Sequence, residues 1–219
     1  MQRAKLAFVA RRSTRSTTID LPRTTAASWT RESHVEASPH RSSESGGLNE
    51  ATSDIFGTAV EWYANTAADV PDYLVGEKIN INGNGTPLRY LDRPSKDGRS
   101  ADCWSKSVGR LNVHYSSGPL NHWFYLVCEG SGAKVVNGVT YTSPTCNGSV
   151  TGVGHSVAER VRHRTLTTRL TSSSGYAAGR NGAIASAKDL YGRNSAECAA
   201  VLNGFNAIAV PVGTQTCTN

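Results

Sequence analysis

In the run Gly46-Gly47-Leu48-Asn49-Glu50-Ala51-Thr52-Ser53-Asp54-Ile55-Phe56-Gly57, Glu50 and Asp54 stand four residues apart and share one face of any helix built there. Like charges at that spacing repel unless a cation lies against them. A divalent metal with a histidine ligand meets the need: one carboxylate binds the metal, and the other accepts the N–H of the ligand histidine and fixes its orientation. Spacing alone favours a plain solvated acidic face.

The elements that must position these acids follow from periodicity. Leu48, Ile55, Phe56, Val60 and Tyr63 have helical spacing, which predicts a helix from the Gly46-Gly47 break to about Ala67. Residues 71–100 are rich in Gly, Asn, Asp and Pro and are expected to be irregular, with turns at Asn82-Gly83-Asn84-Gly85 and Lys96-Asp97-Gly98. A second helix is expected to start near Ser116-Ser117-Gly118-Pro119 and to end near Gly130, with Leu120, Trp123, Phe124 and Val127 as its apolar stripe. That stripe reads as core. Val139 to Tyr141 reads as a short strand or turn, and three more helices are expected over about 156–171, 175–191 and 195–208. The chain therefore reads as mainly α, a helical lobe with one long loop suited to function.

Composition narrows the alternatives. The first 45 residues contain no glycine, seven Arg, eight Ser and six Thr, and all 21 glycines follow from Gly46 onward. Residues 1–45 therefore read as a disordered tail or as a stretch not selected for folding, such as an out-of-frame translation. They hold eight Lys/Arg against four Asp/Glu and so account for +4 of the formal +6 charge. The remainder is nearly neutral and has no basic stripe with interleaved aromatics, so nucleic acid is not an expected partner. No apolar run approaches membrane-spanning length, and Leu6 to Ala10, between Lys5 and Arg11, is shorter than a secretory core. Neither an anchor nor a signal peptide is expected in the sequence as it stands.

Five cysteines, at 103, 128, 146, 198 and 217, include no C-x-x-C pair, so a zinc ribbon or redox motif has nothing to rest on. Disulfides are expected, Cys103 with Cys146 and Cys198 with Cys217, leaving Cys128 as the odd buried thiol. Connectivity is not fixed by sequence, and five reduced cysteines is the other reading. Disulfides imply export.

The Glu50 run resembles the third-ligand helix of the thermolysin-like neutral zinc metalloproteases. The segment Asn112-Val113-His114-Tyr115-Ser116-Ser117-Gly118-Pro119-Leu120-Asn121-His122-Trp123-Phe124-Tyr125-Leu126 resembles the same family's active-site histidine segment. Two long motifs in the right order make the likeness specific. It covers roughly residues 44–213, with the flavour of the secreted actinobacterial members, and implies a helical domain over 46–213 with a short tail, 214–219.

What the resemblance implies is zinc-dependent endopeptidase activity on peptides or proteins, in a secreted monomer. It makes Glu50 the carboxylate ligand of zinc and Asp54 the partner that orients a ligand histidine. It makes His114 the donor to the oxyanion of the tetrahedral intermediate, where charge appears only as the reaction proceeds. Arg89, in Pro87-Leu88-Arg89, matches the arginine that holds a substrate carbonyl. Glu61, Asp72 and Glu77 fall where the family's calcium-binding carboxylates fall, and hard oxygen donors suit calcium. Leu74 stands where some relatives have another acid, so at most one calcium is expected.

The sequence departs from the family in one decisive place. A zinc site of this kind needs H-E-x-x-H, two histidines one turn apart with a glutamate beside the first, and residues 1–219 contain none. The nearest stretch is Thr30-Arg31-Glu32-Ser33-His34, in which His34 is the one plausible zinc ligand, only 16 residues before Glu50. Nothing in residues 1–45 is patterned to supply the β-rich lobe that forms the other wall of the cleft in relatives. Gly109 lies near the place where an acid is expected to support His114. The chain is therefore expected to be inactive, either a peptide-binding pseudoprotease or a fragment.

Overall fold

In the computed structural model, which describes residues 43–218, the first helix, α1, runs Glu44–Ala64. Ser43 caps it: its backbone is extended, and its hydroxyl accepts the Gly46 N–H at 2.8 Å. Asn65 ends it in the left-handed conformation, with φ 39°. The helix thus starts two residues earlier and stops about three sooner than its apolar spacing suggests. The reason is that Gly46 and Gly47 do not break it. They lie where α1 crosses the histidine segment, and a β-carbon on Gly47 would sit 2.8 Å from the Ser116 carbonyl oxygen. Glycine here permits close approach of two backbones.

The expected helix near 116–130 is two elements. A single turn, α2, spans Val113–Ser116 and is capped by Asn112, whose Oδ1 accepts the His114 N–H at 3.0 Å. Then α3 spans Gly118–Glu129, with Pro119 in its first turn, where a missing N–H costs nothing. Every residue of α3 from Gly118 to Cys128 is buried. Helices α4 (His155–Arg169), α5 (Tyr176–Tyr191) and α6 (Ala196–Ala207) complete the helical set within two residues of expectation. The lobe is mainly α, with α1, α4 and α6 packed directly on α3.

Residues 71–100 are not wholly irregular, which corrects the sequence reading. Strand β1 (Leu74–Val75) pairs antiparallel with β2 (Arg89–Tyr90), matching Val75 with Arg89. Two-residue strands are too short for an alternating pattern to show. The other sheet is the hairpin of β3 (Gly132–Val136) and β4 (Val139–Ser143). It turns at Asn137 and Gly138, both at positive φ (48° and 82°), as a two-residue hairpin turn requires.

Polar contacts fix the helices around α3. Glu44 accepts the Trp104 indole N–H at 2.8 Å and the first amide of α5, that of Tyr176, at 2.9 Å, an anion at a helix N-terminus. Arg162, buried on α4, donates to the Leu48 carbonyl at 3.4 Å and to the Thr52 hydroxyl of α1. Burial pulls its pKa down to about 10. Disulfides join Cys103 to Cys146 and Cys198 to Cys217, and Cys128 is a buried free thiol, the pattern expected from the sequence. No helix among the described residues is long and apolar enough to cross a membrane.

His122, inside α3, is fully buried between Asp102 and Ser143. Its Nδ1 lies 2.9 Å from the Asp102 carbonyl oxygen, so Nδ1 carries the proton and donates, and Nε2 accepts the Ser143 hydroxyl at 2.8 Å. Burial lowers its pKa, more than the nearby Asp102 and Asp92 raise it. The unfolded chain therefore takes up a proton as pH falls through about 6.5 while the folded chain does not. This residue costs nothing above that pH and withdraws stability below it, by at most about 1.4 kcal/mol per pH unit, until the lowered folded pKa is reached. Urea midpoints measured above and below pH ~6.5 should separate in the wild-type chain and converge in His122→Gln. An imidazole NMR signal of His122 that titrates at an ordinary pH would sink this expectation.

Candidate active site

Asp54 lies on the buried side of α1, with a side chain only 4% exposed. Its Oδ2 accepts two hydrogen bonds, from Arg89 Nε at 2.7 Å and from Asn121 Nδ2 at 2.9 Å. The three residues come from α1, β2 and α3, and the Val75–Arg89 register swings the guanidinium inward to meet the carboxylate. Burial lowers the Arg89 pKa, but the charge and hydrogen bond of Asp54, with Glu50 and Asp97 farther off, outweigh it and leave the pKa raised. Arg89 is a permanent cation.

One turn earlier on α1, Glu50 Oε2 lies 2.9 Å from His114 Nδ1. The imidazole is 53% exposed and the carboxylate 16%, so the pair sits at the rim with the Asp54–Arg89 pair beneath. The α1–α2 crossing at Gly46 and Gly47 brings them together, because it lays the one-turn helix carrying His114 against the first turns of α1. The geometry offers a carboxylate, an exposed imidazole and a buried guanidinium in sequence along one wall.

A second group gathers at the C-terminal end of α1. Glu61, Asp69 and Glu77 each offer a carboxylate oxygen, and these lie within 4.8 Å of one another. Lys78 approaches Asp69 at 3.7 Å. Asp72 is not part of this trio: it is buried, and its Oδ1 accepts the Leu74 N–H at 2.7 Å, capping the entry to β1. An open groove of about 510 Å³, lined by Phe56, Ala59, Glu159, Arg160, His163 and Leu190 among others, contains none of Glu50, Asp54, Arg89 or His114. Its size is not a reason to prefer it over the wall where the titratable groups converge.

Glu50, Asp54, Arg89 and His114 are thus neighbours, as are Glu61 and Glu77. His34, with everything before residue 43, lies outside the described residues. Sequence reasoning missed Asn121 and Asp69. Asn121 left a signal, a polar residue inside a mainly apolar helix, whereas Asp69 left none.

Comparison with known proteins identifies the family. A family model described as the thermolysin metallopeptidase α-helical domain matches residues 40–210. Over 170 residues the chain is 55% identical to the transglutaminase-activating metalloprotease of Streptomyces mobaraensis, covering 77% of this chain and 22% of that protein. It is 41% identical to the bacillolysin of Bacillus cereus, covering 76% and 28%, and 38% identical to a thermolysin of Alicyclobacillus acidocaldarius, covering 76% and 29%. The chain therefore spans between 22% and 29% of the length of these relatives.

Proposed function

Because the chain belongs to the thermolysin metallopeptidase family, as its α-helical domain, we propose that it carries the substrate-facing wall of a zinc endopeptidase site and, alone, binds peptides without cleaving them. The observation that carries this reading is the stacked pair of contacts, His114 on Glu50 and Arg89 on Asp54, at 2.9 and 2.7 Å. Each residue has one task. His114, exposed and held by the Asn112 cap, is the donor for a substrate carbonyl oxygen that gains charge. Arg89, immobilised by Asp54, uses the guanidinium nitrogens not spent on that bond to hold a peptide carbonyl. Asp54 has both of its hydrogen bonds on Oδ2, and Oδ1 is the atom for a ligand-histidine N–H.

Zinc in this family supplies Lewis-acid activation of water. A catalytic zinc takes three protein ligands; among the described residues of this wall Glu50 is the carboxylate for it, while Asp54 is held by Arg89 and Asn121 and His114 faces the substrate oxygen, so they do not fit the ion by themselves. No step is therefore assigned to it. The acidic trio is a better match for its ion: three carboxylates converging within 4.8 Å are hard donors of the kind calcium takes. We assign calcium to Glu61, Asp69 and Glu77, with Asp72 as a cap. The two disulfides support an exported protein.

Three readings on the purified chain test this together. Equilibrium dialysis should show less than stoichiometric zinc, and casein should remain intact. A short apolar peptide should bind and should lose about threefold to tenfold in affinity in His114→Ala, the worth of one hydrogen bond. Stoichiometric zinc with casein cleavage would overturn the inactivity, and a His114→Ala chain that binds as well as the parent would overturn the cleft assignment.

A further inference from the structure

Six Asn-Gly pairs punctuate the sequence, at Asn82, Asn84, Asn137, Asn147, Asn181 and Asn203. The pair is reactive because glycine has no side chain to shield its backbone nitrogen. Once deprotonated, that nitrogen attacks the asparagine Cγ. The new C–N bond closes a five-membered imide, and the Cγ–Nδ2 bond breaks with loss of ammonia. Water adds to one imide carbonyl and reopens the ring, leaving an aspartyl or a β-linked isoaspartyl residue and one more negative charge. Three conditions follow: an exposed backbone, a carboxamide free to turn, and a glycine nitrogen not already donating a hydrogen bond.

Five of the six pairs fail at least one condition. Asn181 and Asn203 lie inside α5 and α6, where the helical backbone fixes the following nitrogen. Asn181 is held further, because its Oδ1 accepts the amides of Thr214 and Gln215 at 3.0 and 3.2 Å. After Asn82, the Gly83 nitrogen donates to the Asn80 carbonyl at 3.1 Å. After Asn84, the Gly85 nitrogen donates to Asn80 Oδ1 at 2.7 Å. At the hairpin turn, the Asn137 carboxamide is anchored by donating to the Pro71 carbonyl at 2.9 Å.

Asn147 meets all three. It is exposed, and among the described residues neither its carboxamide nor the Gly148 nitrogen makes a hydrogen bond. What is held is the backbone before it: the amides of Cys146 and Asn147 both donate to the Ala207 carbonyl, at 2.8 and 3.3 Å. After it, Gly148 has a φ of +65° with open space around its α-carbon, and its carbonyl accepts the Thr145 hydroxyl at 2.5 Å, which leaves its nitrogen free. We propose that Asn147 is a self-modification site, the first asparagine of the folded protein to deamidate, placing a new carboxylate and an isoaspartyl linkage next to the Cys103–Cys146 bridge.

Peptide mapping by mass spectrometry on the full chain, held folded at mildly alkaline pH, tests the proposal. Position 147 should convert roughly tenfold faster than any of the other five, the rate factor expected when a hydrogen bond need not be broken first. The same chain in denaturant should lose that ranking, since all six pairs share one chemistry. Conversion led by any other position in the folded chain overturns the proposal. So does a ranking that survives unfolding unchanged, because local sequence would then explain it without the fold.

Discussion

Replacing Asp54 with alanine is expected to cost the fold about 3–5 kcal/mol, the range for removing one partner of a buried ion pair. The loss does not come mainly from the missing attraction. Arg89 is 8% exposed and its raised pKa keeps it charged, so Asp54→Ala leaves a guanidinium buried with no anion and Asn121 without its acceptor. Arg89→Met made in the Asp54→Ala background should recover most of the loss, because two apolar side chains carry no desolvation penalty. Urea unfolding of both single variants and the double variant gives the comparison. A double variant less stable than either single one would show that the pair is held by something other than mutual neutralisation.

Opening the Cys103–Cys146 bridge is the other large effect, and it acts on the unfolded chain. Its half-cystines are 43 residues apart, against 19 for Cys198–Cys217. Loop-closure entropy scales with the logarithm of the loop, which gives about 4 kcal/mol for the first bridge and about 3 kcal/mol for the second. The Cys103→Ser/Cys146→Ser chain should therefore melt below the Cys198→Ser/Cys217→Ser chain. The reverse order would mean that tethering the C-terminal tail matters more than the entropy of the longer loop. The longer bridge also joins two stretches that His122 connects by hydrogen bonds, through Asp102 and Ser143.

The helices were legible because their apolar residues recur at intervals a single helix imposes, as in Leu48, Ile55 and Val60. Their ends were less so. Gly46-Gly47 reads as a stop in one dimension, and only the passing backbone of Ser116 shows that it is a crossing. Glu50, Asp54, Arg89 and His114 were found through motif resemblance, whereas their pairing was not readable. Asp54 and Arg89 are 35 residues apart, and the contact depends on a two-residue strand register that leaves no periodic trace. Asp69 and Asp72 make the same point in reverse, since three positions of offset decide which acid joins the trio and which caps a strand.

The complete burial of α3 has a consequence in time. A helix that is buried on every side, carrying Trp123, Phe124, Leu126 and Val127 at 0% exposure, has no solvent face of its own. As the chain is synthesised, α3 emerges after α1 but before α4 and α6, the helices that cover its remaining sides. Until residues near Ala207 have left the ribosome, this sequence presents a sticky, half-dressed segment to its surroundings. The nascent protein is thus most dependent on a holding chaperone between the synthesis of α3 and that of α6.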